Sequence, residues 1–238
     1  MARPDENSRA RHRPSVVPYN PGLQRLVQAK NLWQHGPEEA PLPDGSAGWH
    51  QRGYLPHRDE PGLVQFVTFR LADAFPVVLR AEWQALLEIE DDRQRLRQLE
   101  SYLDMGRGEC LLKQAPVADL VEGALRFFHK SRYVLQAWVV MPNHVHVLFT
   151  QMDEALGRVI GSWKSYTAKE ANRLLHRSGQ FWEEDYWETY MRDETHEKRT
   201  RRYIENNPVK ARLVRDSTQW TWGSARFRDE LGRLTLPT

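Results

Sequence analysis

The sequence predicts an α+β fold: a ferredoxin-like split βαβ sandwich with an antiparallel central sheet and a helical insertion. Two observations carry this. The periodic segments follow the order strand, helices, strand, strand, helix, strand, helix, which suits that arrangement. The two central strand segments are broken from each other only around Met141-Pro142-Asn143, so they are neighbours. At 238 residues, 40% hydrophobic and 28% charged, the chain can bury one good core, and one domain is the simplest count.

Element by element, residues 1 to 50 hold many Pro, Gly and polar residues with few periodic apolar positions, and read as a mostly disordered arm. Leu63 to Leu71 alternates as the first strand. Arg80 to Leu103 is a charged helical stretch with Trp83, Leu86, Leu87, Ile89, Leu96 and Leu99 as its apolar positions. In the expected fold it is an insertion, spanning about 80–105, whose role the sequence does not explain. Val117 to Lys130 is a second helix. Tyr133 to Met141 and His144 to Thr150 are the central strands. Glu154 to Arg177 is a long helix with Leu156, Val159, Ile160, Trp163, Tyr166, Leu174 and Leu175 at helical spacing. Phe181 to Met191 reads as a fourth strand. A last helix starts after Asp193, a good cap before an acidic first turn. It runs from Glu194 to about Asn206, because Pro208 cannot continue a helix and disfavours helical geometry at Asn207. Residues 229–238 are a tail.

Several function classes are set aside by composition. A single cysteine, Cys110, excludes an internal disulfide, and no apolar run approaches the ~20 residues of a membrane span. The N-terminus lacks the apolar core of a signal peptide, so the expected location is cytoplasmic, with no membrane partner. The net charge is only +2, but it is unevenly spread. Residues 1–120 carry 15 Lys/Arg against 17 Asp/Glu, and the rest of the chain carries 19 against 15. Lys198, Arg199, Arg201, Arg202, Lys210, Arg212 and Arg215 crowd the last helix and its exit, either as a solvated face or as a surface that tracks phosphates. The helix over 154–177 offers Arg158, Lys164, Lys169, Arg173 and Arg177, either for solubility or as a second wall of a groove. The tryptophans are chiefly structural, and His196 is a solvated first-turn residue rather than a proton carrier.

Chemistry concentrates in Asn143-His144-Val145-His146-Val147-Leu148-Phe149. Successive side chains on a strand alternate faces, so His144 and His146 point one way while Val145, Val147 and Phe149 point the other. Two imidazoles on one face can grip one metal ion, or simply hydrogen-bond on a half-buried strand. The stretch after them offers no further ligand, so a third must come from elsewhere. Tyr203 and Asn207 stand at i and i+4, so where the last turn holds they share one helix face, a phenol beside an amide oxygen able to ligate a hard cation. The alternative is a core tyrosine and a helix-ending asparagine.

Met141-Pro142-Asn143-His144-Val145-His146, followed by Tyr203-Ile204-Glu205-Asn206-Asn207-Pro208-Val209-Lys210, resembles the single-tyrosine HUH transposases, specifically the REP-associated tyrosine transposase branch. Gly53-Tyr54-Leu55-Pro56-His57, Val67-Thr68-Phe69-Arg70, Ser162-Trp163-Lys164-Ser165-Tyr166-Thr167, Phe181-Trp182 and Trp220-Thr221-Trp222-Gly223-Ser224 look like further landmarks of that family in its order, so the resemblance covers residues 51–228. It implies the same ferredoxin-like fold, a divalent metal, Mg2+ or Mn2+, on His144, His146 and Asn207, and a nucleophile at Tyr203. Arg199, Arg201, Arg202, Lys210 and Lys164 would contact DNA. The implied substrate is single-stranded DNA with hairpin or palindromic repeats, cleaved and rejoined through a 5′-phosphotyrosine, by a monomer or homodimer. Two other readings remain open at this point: a domesticated DNA-binding protein on the same scaffold, and a metal-dependent hydrolase in which Tyr203 is structural.

Overall fold

The computed structural model describes residues 48–52, 55–75 and 92–237. The expected arm up to residue 47 and the first part of the insertion, residues 80–91, lie outside them. Two short strands come first, β1 (Gly48–Arg52) and β2 (Leu55–Asp59), paired antiparallel from Gly48↔Asp59 to Arg52↔Leu55. This ladder takes in residues 48–50, which the sequence reading gave to the arm. The elements that follow are β3 (Val64–Arg70), α1 (Asp92–Asp104), α2 (Ala115–Phe127), β4 (Tyr133–Val140), β5 (His144–Gln151), α3 (Leu156–Leu174), β6 (Trp187–Tyr190) and α4 (Glu194–Lys210).

Strands β3 to β6 form one four-stranded sheet in the order β4-β5-β3-β6, with every neighbouring pair antiparallel. In chain order this is β3-α2-β4 interleaved with β5-α3-β6, with the first strand of each unit central. That is the expected split βαβ sandwich. The strand β5 sits in the middle because both its faces are apolar or purposeful: seven of its eight residues are buried. Val145, Val147 and Phe149 point to the face covered by α2 and α3, where they meet Val121, Leu125, Val159, Ile160 and Trp163. On the opposite face Leu148 joins Phe66, Val139, Met141 and Ile204 of α4. A fully buried aliphatic side chain such as Ile204 contributes about 1.5–3 kcal/mol, enough to hold α4 on this face. The edge of β4 is closed by the C-terminal segment: Val140 N–H donates to the Trp222 carbonyl (2.8 Å), and Trp138 N–H donates to Ser224 Oγ (3.1 Å).

Two elements depart from the sequence reading. The expected strand over 181–191 is interrupted. Phe181 to Glu183 pairs with the end of β3 through Ala72 N–H to the Phe181 carbonyl and Glu183 N–H to the Arg70 carbonyl, but only Trp187–Tyr190 forms a strand. Glu184 and Asp185 break it, since acidic residues are poor strand formers and Asp185 Oδ1 accepts from the next backbone N–H, that of Tyr186 (2.9 Å). The second departure is Pro208, which does not end α4; the helix runs through it to Lys210. Proline removes only the bond to the Ile204 carbonyl, and the turn beyond recovers others: Ala211 N–H donates to the Asn207 carbonyl and Leu213 N–H to the Pro208 carbonyl, both at 2.9 Å. Glu205 adds an anchor by accepting from Ser224 Oγ (2.7 Å) and Arg228 (2.8 Å). Asn207 therefore keeps helical geometry.

Candidate active site

The two histidines lie on the α4 side of β5 with nothing of them left to solvent, at 1% and 0% exposure. Their Nε2 atoms are 3.1 Å apart. Each ring is held by its other nitrogen. The Asn143 amide donates through Nδ2 to the Arg107 carbonyl (3.1 Å), so its Oδ1 faces His144 Nδ1 at 2.8 Å and must accept. His144 thus carries its proton on Nδ1 and presents a bare Nε2. His146 Nδ1 meets Thr68 Oγ1 at 2.7 Å, across the ladder position where Thr68 lies directly opposite. A hydroxyl can donate or accept, so His146 can point either a proton or a lone pair at the same place.

Tyr203 closes the space over this pair. Its ring centroid is 5.6 Å from that of His146 and 6.1 Å from Phe66, both contacts edge-on. Asn207 Nδ2 donates to the phenolic oxygen at 3.1 Å, and the phenol hydrogen-bonds to the Glu100 carboxylate of α1. Lys210, one turn further on, stands 5.7 Å from the tyrosine ring and is ion-paired with Asp104 of α1 at 2.8 Å. Burial, then the nearby Glu100 and Asp104, push the phenol well above its ordinary range, with the Asn207 hydrogen bond pulling the other way.

The donor set fits a hard or borderline divalent cation. Because Asn207 Nδ2 is committed to Tyr203, the amide oxygen points elsewhere, and Asn207 Oδ1 is fully buried without a hydrogen-bond partner among the described residues. An orphaned buried acceptor of this kind costs about 1–3 kcal/mol unless something takes its lone pairs. Two neutral imidazoles whose rings are oriented by Asn143 and Thr68 are what a metal centre requires of its first ligands and their supports. Among the described residues no three His, Cys, Asp or Glu side chains come together as a metal site.

Burial also sets the charge state of the pair. Desolvation, reinforced by Lys210, lowers His144 to about 3 and holds His146 well below its ordinary value, with His144 and Lys210 contributing. Both rings are neutral at pH 7, so cation binding need displace no proton from them. The sign for stability follows: the folded state resists protonation that the unfolded chain accepts below about pH 6.5, so this contribution is full above that pH and is lost as pH falls towards 3. Metal-free protein should lose several kcal/mol across that interval. Thermal melts at stepped pH check it, with the double variant His144→Gln, His146→Gln giving a flatter profile. A wild-type profile no steeper than that of the variant would contradict the assignment.

Of the basic residues singled out by sequence, Arg199 lies one turn before Tyr203 on the same side of α4, Arg202 about a quarter turn away, and Arg201 on the far side. Arg199 and Arg202 are exposed, and none of the three makes an ion pair among the described residues. Lys164 is not brought to this cluster. It sits on α3, across the sheet from the histidines, where its ammonium donates to the Glu184 carbonyl (2.6 Å). Four of the tryptophan indoles are engaged within the fold: Trp163 with Tyr133, Trp182 with Thr167, Trp220 with the Val140 carbonyl and Trp222 with Asp119. Sequence reasoning missed Thr68, Asn143 and Glu100. Thr68 needed the strand register, and Asn143 carries no role of its own in the sequence reading beyond a strand break and a place in the histidine motif, although an amide directly before a candidate ligand is a signal for a ring-orienting partner.

Residues 111–207 match the family model described as "Transposase IS200 like". Among solved structures, the chain is similar to a REP-associated tyrosine transposase bound to a REP hairpin, with 18% identity and a TM-score of 0.45 over 79% of this chain and 91% of that one. It is also similar to a putative transposase from Deinococcus radiodurans R1, with 16% identity and a TM-score of 0.28 over 66% and 96%. No curated protein shows significant similarity to it. No helix among the described residues is long and apolar enough to cross a membrane. The stretch matched by the IS200-like transposase model, residues 111–207, is the one that holds His144, His146, Tyr203 and Asn207.

Proposed function

We propose that this chain is a single-tyrosine transposase of the REP-associated type, which cleaves single-stranded DNA near a hairpin through Tyr203 and rejoins it. The observation that supports this most is the tyrosine ring 5.6 Å from His146, with Asn207 hydrogen-bonded to the phenol on one side and holding a buried, unpartnered oxygen on the other. A structural tyrosine in a core would have no need of such surroundings.

Attack of the phenolic oxygen on a phosphodiester forms a 5′-phosphotyrosine and releases a 3′-hydroxyl. The covalent link keeps the bond energy for a later attack by another 3′-hydroxyl. His144, His146 and Asn207 would hold Mg2+ or Mn2+. Such an ion supplies charge neutralisation at a non-bridging phosphate oxygen. The chain's own residues do the rest. Phe66 and Asn207 fix the ring and its oxygen in one orientation, which turns the attack into an effectively intramolecular step. Arg199, exposed one turn before Tyr203, places positive charge on the same side of the helix, where a phosphate would lie.

The experiment uses a labelled single-stranded hairpin DNA with a divalent ion. A transposase of this kind yields a protein–DNA adduct that survives denaturation and carries the fragment downstream of the cut, together with a free 3′-hydroxyl on the other fragment. A hydrolase that uses the histidines and water yields two free fragments and no adduct, and that result would overturn the reading.

The DNA path is tested separately. Replacing Arg199, Arg201 and Arg202 together by Ala should weaken hairpin binding and flatten its salt dependence, by roughly 0.7 in slope for each residue that touches a phosphate on a single strand. Their placement on α4 predicts that Arg199 and Arg202 account for this change and Arg201 for little of it. Sequence preference should be nearly constant, since phosphate contacts position a strand and base contacts specify it. An unchanged affinity and slope across a salt series would make this charge a solvated face.

A further inference from the structure

The helix α1 belongs to the insertion for which the sequence offered no role. Its last turn delivers two carboxylates to the tyrosine helix, some hundred positions further along the chain. Asp104 pairs with Lys210 at 2.8 Å, and Glu100, only 8% exposed, is the hydrogen-bond acceptor of the Tyr203 phenol. The other hydrogen bond at that oxygen comes from Asn207 Nδ2, which is a donor and cannot take a proton. His144 and His146 point their Nε2 atoms at each other.

We propose that Glu100 is a catalytic residue of the transposase reaction: it accepts the phenolic proton as Tyr203 Oη attacks the phosphorus, and returns it when the phosphotyrosine is resolved. This rests on Tyr203 being the nucleophile, as argued above.

The balance is simple. In cleavage the Oη–P bond forms, the P–O3′ bond breaks, and the proton on Oη moves to a Glu100 carboxylate oxygen. The leaving 3′-oxygen ends as a hydroxyl by taking a proton from solvent, so Glu100 keeps the phenolic proton. In rejoining, a 3′-hydroxyl attacks and gives its proton to solvent, the O3′–P bond forms, the Oη–P bond breaks, and the departing phenolic oxygen takes its proton back from Glu100. A buried carboxylate beside a phenol suits this exchange. Two negative charges that close in a site poor in water are unfavourable, so phenolate formation and proton uptake by Glu100 must proceed together. The charge of Asp104 is offset by Lys210, which leaves Glu100 as the acceptor in contact with the reacting oxygen.

The test measures the single-turnover rate of adduct formation on labelled hairpin DNA at saturating divalent ion, together with hairpin affinity. Four full-length proteins are compared: wild type, Glu100→Gln, Glu100→Asp and Tyr203→Phe. Glutamine keeps the length and a hydrogen-bond acceptor but cannot take the proton, and aspartate keeps the acid on a shorter arm. If Glu100 takes the proton, Glu100→Gln loses about 10²- to 10⁴-fold in rate with hairpin affinity unchanged, and Glu100→Asp retains more of the rate than Glu100→Gln. A rate for Glu100→Gln within a few-fold of wild type, the reverse order of the two variants, or a rate loss matched by a loss of affinity each overturns the proposal. Normal adduct from Tyr203→Phe would instead overturn the nucleophile assignment, so the two failures are told apart.

Discussion

Tyr203→Phe is expected to abolish the covalent adduct and strand cleavage together. The substitution removes the phenolic oxygen and nothing else of the ring, so the edge contacts with Phe66 and His146 remain. It also removes the hydrogen bonds from Asn207 and to Glu100, which costs about 1 kcal/mol each in stability and leaves the domain folded. Loss of a nucleophile typically lowers the rate by several orders of magnitude, far beyond what a small change in stability produces. An unperturbed phenol is already only about one part in a thousand ionised at pH 7, a deficit of about 4 kcal/mol. The buried, acid-flanked position of Tyr203 deepens that deficit, so a working nucleophile here needs help from the surrounding charges and from a proton acceptor. Cleavage by the phenylalanine variant at a rate near wild type would show that the phenol is structural.

The second large effect is expected at the histidines. His144→Ala and His146→Ala should each eliminate cleavage, and excess chelator should do the same to the wild-type protein, with activity restored by added Mg2+ or Mn2+. Each histidine lies fully inside the molecule, so alanine also leaves a cavity and breaks one orienting bond, to Asn143 or to Thr68. Circular dichroism and hairpin binding at matched conditions separate lost chemistry from lost fold, because the sheet face beneath the pair is closed by Phe66, Leu148 and Ile204 independently of the imidazoles. Cleavage that continues in excess chelator would remove the metal from the account.

Much of this site was legible in the sequence, and particular residues explain where legibility stopped. Alternation on a strand put His144 and His146 on one face, and the i, i+4 relation put Tyr203 beside Asn207; both are local periodicities that short-range geometry fixes. The order of elements was enough for the split βαβ sheet. Contacts that depend on register or on insertions were invisible. Thr68 supports His146 only because β3 and β5 align Thr68 with it. Glu100 reaches Tyr203 through a helix whose packing no local pattern encodes. Pro208 misled in the opposite sense: local propensity ends a helix there, while the anchors at Glu205 and the later carbonyl bonds carry α4 one turn further and keep Asn207 within hydrogen-bond reach of Tyr203. Lys164 shows a third limit, since the side of the sheet on which a helix packs decides which charges can meet, and α3 lies opposite the histidines.

The most direct measurement is the identity of the residue bound to DNA. The adduct formed on a single-stranded hairpin can be trimmed with nuclease, digested with protease and sequenced by mass spectrometry. The account predicts one modified peptide, with the residual nucleotide joined through its 5′-phosphate to Tyr203. A nucleotide on any other side chain, or joined through its 3′ end, would contradict it.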